Sequence, residues 1–202
     1  MVDENIQLGG KLLKIVGLRD GDNALVVRLG DGIDRSTGAA NTIEYEHHEI
    51  HSGSSFTVAD TVACDTTTVK WQITTPDSMV YAHMIFSLSS TGEATYLVTE
   101  GSDRTDGAAL AEMNRRRVGT PDAATVIVTR TPTGGDTDGA VTLFTKRSGI
   151  TSVASKNVEG GGARSLNEWI LKPNTKYVIS VTTYAVVYVT CELDWYEHTD
   201  RT

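Results

Sequence analysis

The feature that most limits the fold of this chain is the shortness of its apolar runs. Val, Thr, Ile and Tyr cluster over a few residues at a time, and Gly, Asp, Asn or Pro interrupts them before a helix-length stripe can build up. The β-branched and aromatic content of these runs favours a pleated, half-buried surface. This punctuation predicts strands from Ala24 to Leu29, Ser55 to Ala59, Val69 to Thr74, Val80 to Ser87, Thr95 to Thr99 and Thr125 to Arg130. More are predicted from Val141 to Lys146, Glu168 to Leu171, Lys176 to Thr183 and Val186 to Tyr196. Helical periodicity is nearly absent. The exception is Ala108-Ala-Leu-Ala-Glu-Met-Asn114, whose good helix formers follow an Asp-Gly turn signal and predict one short helix or helical turn.

Many short strands separated by turns predict an all-β fold, an antiparallel β-sandwich of jelly-roll-like type with an extended N-terminal arm and at most one short helix. The loop Thr131-Pro-Thr-Gly-Gly-Asp-Thr-Asp-Gly139 reads as an exposed hairpin, and Pro173-Asn174 as a tighter turn. Residues 44–202 are long enough to bury one core. Residues 1–43 differ: one apolar stretch, Leu12 to Leu18, is followed by Gly- and Asp-rich segments with little bulk. Ordering such a segment costs more entropy than its apolar area returns, which predicts an arm contacting neighbouring subunits. A pair of ordinary strands at the edge of the core is the alternative.

Charge narrows the partners. With 26 acidic against 18 basic residues the formal charge is -8, so phosphate neutralisation is disfavoured and no nucleic-acid partner is expected. The acidic start and the lack of a long apolar run predict a soluble chain with no export signal and no membrane partner. Cys64 and Cys191 are too few for a disulfide framework and form no C-x-x-C pattern; both fall in predicted strands, and whether they pair stays open.

Candidate sites are sparse. In Glu44-Tyr-Glu-His-His-Glu-Ile-His51, an extended backbone would put His47, Glu49 and His51 on one face, a set zinc accepts. The spacing is one residue short of H-E-x-x-H, so His47, His48 and His51 are read as interface histidines, with no metal and no cofactor. Arg115, Arg116 and Arg117 form the one dense basic run, read as pairing with carboxylates of a neighbouring copy. Gly160-Gly-Gly162 lacks the residues of a phosphate loop and reads as a turn. No nucleophile constellation appears, so no catalytic residue is assigned. An enzyme would have to use Asp194, Glu197 or His51.

The closing segment Cys191-Glu-Leu-Asp-Trp-Tyr-Glu-His198 is dense in carboxylates. Alternation turns Cys191, Leu193 and Trp195 inward and Glu192, Asp194 and Tyr196 outward, with Glu197 and His198 at a fraying end. Trp71, Trp169, Leu193 and Trp195 are the expected core anchors.

Four segments carry a resemblance. Asn167-Glu-Trp-Ile-Leu-Lys-Pro-Asn-Thr-Lys-Tyr-Val178, Leu193 to His198, His48-Glu-Ile-His-Ser-Gly-Ser-Ser-Phe56 and Glu112-Met-Asn-Arg-Arg-Arg117 resemble a family of tailed-bacteriophage virion proteins, in the same order along residues 44 to 198. The resemblance implies a non-enzymatic capsid decoration or cement protein, made in the host cytoplasm and located on the outer capsid surface of the virion. Its implied partners are the major capsid protein and other copies of itself, as a homodimer or homotrimer. A tail-associated or host-surface glycan-binding β-sandwich of the virion is the alternative.

Overall fold

The computed structural model describes residues 4–8, 11–15, 45–149 and 168–199, with side chains described for 48–149 and 168–199. The expected strand from Ala24 to Leu29 and the Gly160–Gly162 turn lie outside the described residues. The chain divides into two units, Met1–Tyr45 and Glu46–Thr202. In the first, β1 (Glu4–Leu8) pairs antiparallel with β2 (Lys11–Ile15), Ile6 lying opposite Leu13.

The second unit opens with α1 (Tyr45–Ser52) and continues as β3 (Ser55–Asp65), β4 (Thr68–Thr74), β5 (Val80–Ser90) and β6 (Ala94–Glu100). Three short strands follow, β7 (Ala108–Ala109), β8 (Met113–Asn114) and β9 (Ile127–Arg130). The closing set is β10 (Val141–Ser148), β11 (Glu168–Ile170), β12 (Lys176–Thr183) and β13 (Val186–Thr199). One sheet has the order β10-β6-β12-β4-β9-β7, the other β11-β5-β13-β3-β8, all pairings antiparallel.

Set aside β7, β8 and β9, and each sheet keeps four strands whose partners nest. The first strand, β3, pairs with the last, β13; the second, β4, pairs with β12; β5 and β6 then flank β13 and β12. Nested pairing of this kind across two sheets is the jelly roll. β7, β8 and β9 are an insertion between β6 and β10 that widens both sheets at their β3 and β4 edges.

The short helix lies at Tyr45–Ser52, and the segment Ala108 to Asn114 is not helical. Two of its residues pair with β9 and two with β3, so sheet hydrogen bonding overrides the helix propensity of its Ala, Leu and Met. The helix at Tyr45–Ser52 has a definite stop. Gly53 takes φ +87°, its N–H donates to Ile50 O at 3.2 Å, and the Ser54 N–H donates to Glu49 O at 3.1 Å. These two bonds are the Schellman cap, which favours Gly at the left-handed position.

The core lies between the inner faces. Trp71, Ile73 and Ile179 from one sheet meet Met84, Leu193 and Trp195 from the other, all inaccessible to solvent. Each such side chain contributes roughly 1.5–3 kcal/mol by leaving water. An inward row crosses all five strands of the second sheet: Trp169, Met84, Trp195, Phe56 and Asn114 are successive cross-strand partners. Trp169 faces the core by register yet is 37% exposed, because β11 is a strand of three residues at the edge of the sheet among the described residues. It packs beside Phe144, which meets Phe86 edge-on, and the three rings close that side of the sandwich.

The loop from Thr131 to Gly139 is no hairpin. It leaves β9 and enters β10, strands separated by β4, β12 and β6, so it must cross the outer face of the six-stranded sheet. Pro173–Asn174 turns between the two sheets, with Asn174 at φ +47°. No helix among the described residues is long and apolar enough to cross a membrane.

Candidate functional site

Pieces from distant parts of the chain meet where β3 begins and β13 ends. Asn114 is buried; it donates its side-chain amide to Gly53 O at 2.6 Å and to Asp122 O at 3.0 Å, while its Oδ1 accepts the Arg116 N–H at 2.8 Å. One buried amide thus closes the base of the loop from Arg115 to Asp122 and ties it to the helix cap. The Arg115 N–H extends the β3–β8 pairing by donating to Ser55 O, and its guanidinium pairs with Asp194 at 2.5 Å. Phe56 stacks on Trp195 with centroids 5.7 Å apart.

Glu197 is the most constrained acid of this end. It faces inward at 8% exposure and accepts the N–H groups of Thr125 and Val126, the Thr125 hydroxyl at 2.6 Å and Trp195 Nε1–H at 2.9 Å. A carboxylate is stable inside a sandwich only when donors replace its water, as here. On the opposite face of the same strand His83 stacks between Tyr196 and His198, at 4.7 and 4.4 Å. Glu49 of α1 is also buried, accepting the Ser54 hydroxyl and lying 3.5 Å from His48 Nδ1.

The closing segment departs from its sequence pattern in three places. The strand runs on to Thr199 with no fray at Glu197. Tyr196 points to the outer face but is buried, covered by the ring stack. Glu197 belongs to the core side, where continuing the alternation of Cys191, Leu193 and Trp195 by one step would have put it. Asp194 and Glu197 therefore project from opposite faces of β13, so they cannot flank one glycosidic bond as a carboxylate pair must.

The remaining candidate residues are dispersed. Trp71, Leu193 and Trp195 are fully buried. His48 and His51 are exposed on α1, and the side chain of His47 lies outside the described residues. The His cluster is helical, so the extended-face grouping does not arise, and no set of three His, Cys, Asp or Glu that could hold a metal occurs among the described residues. Arg115 is committed to Asp194 of its own chain, whereas Arg116 and Arg117 are exposed. Cys64 and Cys191 are free and buried. Cys64 stands opposite Val187, four positions along β13 from Cys191, or about 13 Å at ~3.3 Å per residue, well beyond disulfide reach.

Acidic side chains elsewhere hold the scaffold together. Asp60 points inward from β3 and bridges the sheets, accepting Trp71 Nε1–H at 2.8 Å and Arg130 at 3.2 Å. Over the outer face of the six-stranded sheet, Asp138 pairs with Lys70 at 2.5 Å and with Arg104. Asp106 accepts Gln72 Nε2 at 2.6 Å and the Thr74 hydroxyl at 2.9 Å. Burial pushes both carboxyls up, but these donors outweigh it and hold each below the ordinary aspartate range.

What stays exposed concentrates at the two ends of the sandwich. Val118 is 79% exposed beside Arg116 and Arg117 at one end; Val186 and Tyr188, at 76% and 61%, stand at the other beside Tyr184. Comparison with protein-family models, curated proteins and solved structures finds no match to this chain.

Proposed function

We propose that the chain is a non-enzymatic structural protein of a tailed-bacteriophage virion, a decoration or cement protein that binds the outside of the major capsid lattice and stabilises the head. The observation supporting this is where the resembling segments go. His48–Phe56, Glu112–Arg117 and Leu193–His198 meet at one end of the jelly roll, joined by the Asn114 amide, the Arg115–Asp194 pair, the Phe56–Trp195 stack and the bond from the Glu197 N–H to Ser54 O. Asn114, Arg115, Asp194 and Glu197 are engaged in holding strands and loops together, which suits a scaffold whose work is assembly.

A jelly roll by itself serves capsid, lectin and enzyme domains alike, so the fold adds no function of its own. The glycan-binding reading draws less support. Trp71 and Trp195 have no exposed ring face to offer a sugar, and both indole N–H groups are bonded to carboxylates.

The test is to add purified protein to expanded heads that lack it. Stoichiometric binding, and a higher temperature of head disruption, is the expected outcome, because a ligand of the assembled lattice stabilises it by mass action. Heads that neither bind the protein nor gain stability would refute the reading.

A further inference from the structure

The two ends of the sandwich differ in a way that suits each to the other. At one end the loop from Arg115 to Asp122 is held at its base by the three Asn114 bonds, so its tip is presented in a set geometry. That tip carries Arg117 and the exposed Val118, and the exposed Arg116 side chain lies beside it over Gly53, near Asp122. At the far end, register places Val186 opposite Asp65 and Tyr188 opposite Ala63 on the outer face of the five-stranded sheet. Opposite residues stand about 5 Å apart, so the Asp65 carboxylate, the Val186 side chain and the Tyr188 ring form one exposed patch. Arg116, Arg117 and Asp65 have no ionic partner among the described residues.

We propose that copies of this chain associate head to tail, the Arg116–Arg117–Val118 tip of one copy packing on the Asp65–Val186–Tyr188 patch of the next. Charge decides the pairing. Tip against tip would oppose arginines, and patch against patch would oppose Asp65 with itself, whereas tip against patch joins guanidinium to carboxylate and Val118 to Val186. The Tyr188 ring offers a face to a second guanidinium. The same end already displays that packing internally, with the Arg147 guanidinium 4.9 Å from the centre of the Tyr184 ring.

The two surfaces lie at opposite ends of β3, eleven residues long and so roughly 33 Å at ~3.3 Å per residue. Contacts so placed leave each copy with a free surface at either end, which yields a ring if the rotation closes and a chain if it does not. The area is small, in the class below about 1,200 Å² that gives weak association. This inference deepens the assembly reading by naming the faces through which copies meet, and it rests on that reading only for its biological setting.

The experiment is sedimentation equilibrium of the full chain over a range of concentrations and salt. The expected result is an average mass that rises with concentration and falls with added salt. Arg116→Ser with Arg117→Ser, and separately Asp65→Lys with Tyr188→Ser, are each expected to weaken association at least about tenfold. Mixing the two variants is expected to restore dimers and nothing larger, because one keeps an intact patch and the other an intact tip. A monomeric wild type overturns the proposal, and so does a mixture that stays monomeric or a single variant that keeps wild-type association by itself, the signature of a like-with-like contact. The milder Arg117→Gln and Tyr188→Ser variants, checked to melt at the wild-type temperature, are expected to weaken association partially; unchanged association overturns it. Head attachment is scored separately, so a failure here leaves that result standing.

Discussion

Glu197 offers the sharpest check on how this end of the sandwich is held. Replacing it with Ala removes the acceptor for four donors: the Thr125 N–H and hydroxyl, the Val126 N–H and Trp195 Nε1–H. Thr125 is exposed and can turn to water, but Val126 and Trp195 are buried, so two donors are stranded. At about 1–3 kcal/mol for each unsatisfied buried group, and with some packing lost as well, Glu197→Ala is expected to cost about 3–5 kcal/mol. Glu197→Gln keeps the volume and one acceptor oxygen but turns an NH2 toward donors, for an expected cost of about 1.5–3 kcal/mol. Glu192→Ala is the control: five residues earlier on the same strand, exposed, and expected to change stability by less than about 0.5 kcal/mol. Urea unfolding followed by tryptophan fluorescence, with slopes matched between variants, measures all three. A Glu197→Ala cost below about 1 kcal/mol, or a Gln variant no better than Ala, would sink this account of the buried carboxylate.

Acid should loosen the loop layer over the six-stranded sheet. Asp138 and Asp106 sit below their unfolded pKa of about 3.9, so the stability they add is present above that value and lost as pH falls through their lower folded values. Melting temperature is expected to hold from neutral pH to about 5 and fall below about 4, with a shallower fall in Asp138→Asn; an equal fall would count against this role for the Asp138 ion pairs. Burial pushes the thiols of Cys64 and Cys191 up, so neither is expected to react with a thiol reagent until the protein is unfolded, and rapid labelling of the native chain would contradict their placement. Gly107→Ala would set its β-carbon onto the Arg130 and Thr131 carbonyls, backbone atoms that cannot step aside, and is expected to abolish folding or cost more than about 3 kcal/mol. Gly101→Ala, with open space around it but φ +85°, is expected to cost only about 1 kcal/mol by thermal melt.

The insertion between β6 and β10 gives this jelly roll its particular character. It supplies β8 and the arginine tip to one sheet and β7 and β9 to the other. Its own ends, the loops around Arg104 and Asp138, fold back as a polar layer over the outer face of the six-stranded sheet. Gln72, on that outer face, is consequently inaccessible to solvent. Among the described residues the outer face of the five-stranded sheet carries no such layer at its far end, where Tyr188 and Val186 stand exposed. Surfaces open to a partner therefore lie at the ends and on that sheet.

The positions of the longer strands are legible in the sequence because alternation and turn residues are local: the β12 expectation matches the observed strand, and most of the others from β3 to β13 differ by a few residues at one end, while the two-residue β7 and β8 are missed. The outward reading of Glu192 is legible for the same reason. The helix escapes such a reading because the stop signal at Gly53 is a single residue, while the attraction of Ala108–Ala109 and Met113–Asn114 to sheet edges depends on strands far away in sequence. Trp169 reads as core because its residue type belongs there; only the strand order shows that it stands on an edge. Asp60, Asn114 and Glu197 carry no motif, since each depends on a partner 61 to 72 residues distant that only folding brings near. Local pattern is thus enough to make the chain a sandwich of short antiparallel strands with Trp71, Leu193 and Trp195 inside. Which polar groups are buried and which ends stay bare is settled only when the sheets pack, because burial depends on what arrives from elsewhere in the chain and no local pattern encodes it.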